Sequence, residues 1–195
     1  MAGSIDLVHA ATASQSEIRQ TIEMTIEMAN SLAVPSVDVR PLLIAASFMR
    51  ADHASAASIS RIANRVSELL PLLRALPDLD PMEAAAQVNE QLTELTISPA
   101  IAAHHGAGPH LHWTPATAAF DDQVITDILM ALAQEVCDNG TERFGTCPAS
   151  DCGDLFYDGT RNRSKRFCDD PKCSSRTHTA EHRARIRATI TEPAS

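Results

Sequence analysis

No stretch of the 195-residue sequence approaches the roughly 18 to 20 consecutive apolar residues that a bilayer-crossing helix requires. The opening MAGSIDLVHAATASQSEIRQ lacks a charged segment followed by a sustained apolar one. The absence of that pattern predicts a soluble cytoplasmic protein with reduced thiols and no membrane partner. There is also no Gly-x-Ser-x-Gly elbow, no glycine-rich phosphate loop and no His-Glu-x-x-His helix, and so none of the common marks of hydrolases, nucleotide enzymes or zinc peptidases. The carboxylates Asp121-Asp122 and Asp169-Asp170 are adjacent. That spacing points them apart on a helix, so solvated charge is expected there and the chain reads as a non-enzyme. Aromatic residues make up only 4% against 44% hydrophobic residues in total, and no internal repeat is present. This length and composition suit one modest domain plus a small module.

What the chain does have is a divided charge. Residues 1–140 carry 17 Asp and Glu against 6 Lys and Arg, whereas 141–195 carry 8 against 10, within a formal total of -9. The two parts are therefore expected to meet different partners. Residues 161–187 hold nine Lys and Arg against three acids, a basic surplus that survives counting a tetrathiolate zinc centre as -2.

Hydrophobic periodicity predicts a mostly helical α+β fold. A first helix follows the box-like Ser14-x-x-Glu17, with Ile18, Ile22, Ile26 and Leu32 near one face. Met24 and Met28 read as core filling, with an adaptable ligand wall as the alternative. A second helix covers Pro41 to Arg50, and a third runs from about Ser58 through Ile59, Ile62, Val66, Leu69 and Leu73 until Pro71 kinks or ends it. Asp80-Pro81 opens a fourth, carrying Val88, Leu92 and Leu95 and ending before Ser98-Pro99. Ala100–Ala103 and His110–Trp113 then read as two strands about Gly106-Ala107-Gly108-Pro109. The histidines between and on them, His104, His105, His110 and His112, read as solvated strand-face groups rather than as a metal site. The longest helix spans Pro115 to Val136, with Phe120, Val124, Ile128, Leu132 and Val136 every four residues and Asn139-Gly140 as its stop.

The chemistry lies in Cys147-x4-Cys152 and Cys168-x4-Cys173. Two thiolate pairs on short loops can close on one tetrahedral cation, and so small a segment has little other core. One structural Zn2+ per chain is expected. In zinc-finger peptides such a metal contributes roughly 10 to 16 kcal/mol, so this piece is expected to be unfolded without it. Four thiolates also suit iron or an iron–sulfur cluster. A rival set uses His178-x3-His182 but leaves Cys168 and Cys173 without a role. Cys137, in the apolar pattern ALAQEVC, is expected to be a buried thiol and not a ligand. With the second pair at the start of the last helix, the module is expected to be treble-clef-like.

Around these ligands the chain reads Cys147-x4-Cys152-Gly153-x-Leu155-Phe156-x-Asp158-x-Thr160-Arg161-Asn162-Arg163-Ser164-Lys165-Arg166-Phe167-Cys168-x4-Cys173-x-x-Arg176. It resembles the CGNR zinc-finger proteins, which pair this finger with a mostly helical amino-terminal ABATE-type domain. The name-giving Cys-Gly-Asn-Arg is here Cys173-Ser174-Ser175-Arg176, Phe167 replaces a tryptophan, and His178 replaces a lysine. The resemblance implies an ABATE-like domain over residues 1–140 that senses a stress or small-molecule effector, a finger domain over 141–190 and a tail over 191–195. It also implies a DNA-binding transcriptional regulator of bacterial type.

The residues give that function a physical route. Arg161, Arg163, Lys165 and Arg166 lie in the loop between the pairs, and Arg176, Arg183 and Arg187 follow at steps of seven and four, on one helix face that can meet phosphates. Asn162 and Asp158 suit loop geometry, although Asn162 has the chemistry to reach a base or phosphate. A homodimer would double the basic surface. The alternatives are a solvated basic face packed near the acidic domain, or a zinc-stabilised protein-interaction module that binds no DNA.

Overall fold

The structure is a computed structural model that describes residues 7–33, 37–102 and 110–191, with backbone alone at 7–14, 102, 110 and 188–191. It is mostly helical, with two small antiparallel sheets. No helix among the described residues is long and apolar enough to cross a membrane.

The core is organised on the helix α5, Phe120–Asn139, whose Val124, Ile128, Leu132 and Val136 are buried together with Ile125 and Leu129. It packs against α1 (Leu7–Ser31), α3 (Ala56–Ala75) and α4 (Pro81–Leu92). Its expected stop is present, since Gly140 takes φ 66 and donates its amide to the Val136 carbonyl at 3.1 Å. The helix starts at Phe120 rather than Pro115, because Pro115 to Ala118 form a turn closed by the Ala118 amide on the Pro115 carbonyl.

Four other boundaries differ from the periodic pattern, among them the end of α4, which stops at Leu92 and leaves Leu95 outside the helix. Helix α1 begins at Leu7, so the Ser14-x-x-Glu17 box lies inside it. Nothing in Val8 to Ala13 breaks a helix, and three of those six residues are alanine, the strongest helix former. Helix α2 covers only Arg40–Ala45. Ser47 takes φ 62, and the amides of Ser47 and Phe48 return to the Ile44 and Leu43 carbonyls at 3.0 and 2.9 Å, a Schellman closure built on serine. Helix α3, in contrast, passes through Pro71 to Ala75. The internal proline costs about 3 kcal/mol, but Leu69, Leu72, Leu73 and Leu76 are buried around it, each contributing roughly 1.5 to 3 kcal/mol.

Helix α4 starts as expected, with the Asp80 side chain accepting from Met82 and Glu83 amides and Glu83 reaching back to Asp80. Strands β1 (Ala100–Ala102) and β2 (His110–His112) form the expected hairpin, with Ile101 opposite Leu111. The expected turn, with His104 and His105, lies outside the described residues, as does the His110 side chain. Met24 and Met28 are buried in the core, which bears out core filling.

The hairpin β3 (Phe144–Thr146) and β4 (Leu155–Tyr157) has no counterpart in the sequence pattern. Phe144, Leu155 and Tyr157 are buried in the same core as the helices, and the Phe144 and Tyr157 rings meet with centroids 5.5 Å apart. On α1, Asn30 acts as a strand residue would: its Nδ2 donates to the Leu155 carbonyl and its Oδ1 accepts from the Leu155 amide, both at 2.9 Å.

Candidate metal centre and its basic surroundings

The tip of the β3–β4 hairpin is a cysteine knuckle. Beyond Thr146, the Cys147 amide bonds to the Asp154 carbonyl at 2.8 Å, and the Cys152 amide bonds to the Ala149 carbonyl at 3.0 Å. The second pair lies at the entry to helix α6, Pro171–Thr191. Asp170 caps that helix through Oδ1, which accepts from the Lys172 amide at 2.9 Å, with proline in the first position. The Asp80-Pro81 entry of α4 uses the same arrangement. Cys173 is the third helical residue, and Cys168 stands in the preceding loop.

These two pieces bring the four sulfurs of Cys147, Cys152, Cys168 and Cys173 within 4.8 Å of one another. The Cys152–Cys168 and Cys168–Cys173 separations are 3.7 and 3.6 Å. A tetrahedron with metal–sulfur bonds of about 2.3 Å has edges of about 3.8 Å, whereas a disulfide needs about 2.0 Å. The sulfurs therefore fit one tetrahedral ion and no disulfide. Cys147 and Cys173 are buried, with Ala149 beneath them and Phe167 against the cluster. Burial pushes the Cys168 and Cys173 thiols up: four thiolates so close together need a cation between them. The four cysteines are placed to bind one zinc per chain, and four protein thiolates would close its shell.

Residues 143–186 match the family described as CGNR zinc finger. The match covers the hairpin, both cysteine pairs and most of α6, so the finger resemblance holds over that span. No curated protein matches the chain.

Other metal candidates are not brought into the finger's site. His178 and His182 lie on α6 away from the four sulfurs, and the His178 ring meets Phe167 edge-on at 5.8 Å. Cys137 is no part of the cluster, but it is exposed, not buried as expected. One position beyond Val136 it turns about 100° off the buried face of α5.

The basic residues divide into two groups. Arg161, Asn162 and Arg166 are exposed in the loop between the pairs, and Arg183 and Arg187 are exposed on α6. Three others are held by carboxylates. Arg163, at φ 48, pairs with Glu142 and donates to Asn139. The Lys165 ammonium sits on Asp169 at 2.8 Å, alongside Phe156. Arg176 bridges Asp151 and the sulfur of Cys173, the latter at 3.5 Å, and so supports a ligand directly. Arg183 and Arg187 share a face of α6, and the Arg187 Nε donates to the Arg183 carbonyl at 3.4 Å.

Two residues, Asp158 and Arg143, organise the loop between the pairs. Asp158 is buried, and its carboxylate accepts from the Thr160 amide and hydroxyl and from the Lys165 amide. Burial alone would push its carboxyl up, but those hydrogen bonds and the Arg143 charge outweigh it and hold the group below its ordinary range. Its expected part in loop geometry is thus visible. Arg143 donates to the carbonyls of Asp158 and Thr160 and faces buried Glu135 at 3.6 Å. Asp158 meets partners two and seven residues away, which the Phe-x-Asp step hinted at, whereas no motif marks the Arg143 contacts.

Proposed function

We propose that the protein is a DNA-binding transcriptional regulator whose closed zinc site is structural rather than catalytic. One observation carries this reading: beyond Cys173, α6 runs from Ser174 to Arg187 without a buried residue, while its first turn is fixed by the metal ligand. A helix that buries no residue beyond its ligand turn gains little from its own domain and suits a partner. Its 21 residues reach roughly 30 Å at 1.5 Å per residue, enough to follow a groove or a run of phosphates.

Arg161, Arg166, Arg183 and Arg187 are the proposed phosphate-binding residues, with Asn162 as the base-reading candidate. Arg163, Lys165 and Arg176 instead shape and neutralise the finger through their carboxylate partners. The order of knuckle, hairpin and ligand-bearing helix supports a treble-clef arrangement. Residues 1–140 are proposed as an ABATE-like sensor domain, 141–190 as the finger and 191–195 as a tail. A net charge of -9 leaves only modest attraction to phosphates, so a homodimer that doubles the basic surface is part of this reading, as is a cytoplasmic setting. The ion pairs that occupy three of the basic side chains favour the second reading, a zinc-stabilised protein-interaction module.

Binding measured against salt separates the two. Changing Arg161, Arg166, Arg183 and Arg187 singly to Ala is expected to weaken binding across sequences, with zinc content unchanged. Each change should also lower the salt slope by about one unit, the share of one neutralised phosphate. A folded, zinc-loaded protein that binds neither random-pool nor promoter DNA at low salt would refute DNA binding and leave the interaction module.

A further inference from the structure

Between α1, the turn after α2, the β1–β2 hairpin and α5 lies a cleft of about 900 Å3, and none of its lining residues comes from the finger. Three of the chain's seven aromatic residues line it: Phe48, Phe120 and Trp113, its only tryptophan. Met130 and Ile18 add to the apolar wall, and the volume falls within the roughly 300 to 1,000 Å3 of small-molecule sites.

The charged lining residues are two acids and one base. Asp127 of α5 and Glu17 of α1 line the cleft, and among the described residues neither makes an ion pair. The basic lining residue, Arg50, keeps its charge, but neutral groups at the Phe120 side of the wall fix its place. Its guanidinium donates to Gln123 at 2.6 Å and to the Ala118 carbonyl at 3.3 Å, and lies 5.6 Å from the centre of the Phe120 ring. His112 is the other titratable group at the wall. Burial and the neighbouring Glu17 push the Asp127 carboxyl up to about 6, the state of a carboxylate that lacks a cation and would gain from one.

We propose that this cleft binds a small organic cation, its charged nitrogen seated at Asp127 and Glu17 and its apolar body against Trp113, Phe48 and Phe120. Aromatic faces and carboxylates both attract such a nitrogen, and quaternary ammonium groups are held in this way in aromatic cages. The proposal deepens the sensor reading by giving it a ligand class. Because Trp113 reports occupancy directly, ligand binding and DNA binding can fail separately.

The test is Trp113 emission of the full-length, zinc-loaded protein titrated with hexyltrimethylammonium, with hexanesulfonate as the matched anion. A saturable change with the cation and none with the anion is expected. Asp127→Asn should weaken cation binding at least tenfold, and Glu17→Gln, on the exposed side of α1, about threefold. Circular dichroism and zinc content check the fold of each variant, and Glu17→Gln keeps the test decisive if Asp127→Asn does not fold. No saturable response to the cation, equal response to the sulfonate, or undiminished affinity in a folded variant would overturn the proposal. So would emission that follows protein concentration and ignores the cation, which would mean that a second copy covers the cleft.

Discussion

Gly145 stands opposite Phe156 in the finger hairpin, and a Cβ built on it would lie 2.3 Å from the Phe156 Cζ, too close for any real contact. The glycine is thus required by a side chain across the sheet, not by its own φ. Gly145→Ala should destabilise the protein by about 1 to 3 kcal/mol in denaturant unfolding, as overpacking does, and Phe156→Ala in the same chain should recover part of the loss. Asp121 is a second such residue. Its adjacency to Asp122 suggests a solvated carboxylate, but it accepts from Ser58 at 2.6 Å and from the Arg61 guanidinium at 2.6 and 2.9 Å. The Arg61 hydrogen bond, opposed by burial and assisted by Ser58, lowers its carboxyl to about 2. A folded-state value below the unfolded one means that the stabilisation is complete above about pH 4 and is lost as pH falls toward 2. Stability measured across that window should therefore drop by about 1 to 2 kcal/mol more in the wild type than in Asp121→Asn.

Long periodic elements were legible because their signal is repeated: five positions of α5 at four-residue steps are all buried, as are Ile59, Ile62, Val66, Leu69 and Leu73 of α3. The ligands were legible for a related reason, since two thiol pairs at matched spacing have few uses besides a metal site or disulfides. The β3–β4 hairpin was hidden. Its strands are three residues each, and part of their pairing comes from the Asn30 side chain, more than a hundred residues away. The roles of Arg163 and Arg176 were hidden too, because a run of basic residues does not show which carboxylate each will meet in the fold. At the level of the finger, metal content should follow the four sulfurs alone. Cys152→Ser and Cys168→Ser are expected to lose the zinc, whereas Cys137→Ala, changing an exposed thiol outside the cluster, should keep one per chain by metal analysis. Zinc loss in Cys137→Ala would contradict the ligand set.

Across the whole molecule, the finger is rooted in the helical core rather than joined to it by a tether. Phe144, Leu155 and Tyr157 are core residues, Thr141 donates to the Leu79 carbonyl at 2.8 Å, and Gly159 passes against Arg19 and Glu23 of α1. The metal-dependent part should therefore be smaller than residues 141–190. It comprises the knuckle, the loop from Arg161 and α6, whose fixed end is a ligand turn, while β3 and β4 belong to the metal-independent core. Hydrogen exchange on the zinc-loaded and zinc-stripped protein tests the account most directly. The expected result is loss of amide protection at Cys152, at Cys173 and along α6 on zinc removal, with protection kept at Leu155, Tyr157 and α5. Uniform loss across both regions, or an α6 that keeps its protection without metal, would contradict a zinc-held helix standing on a self-sufficient core.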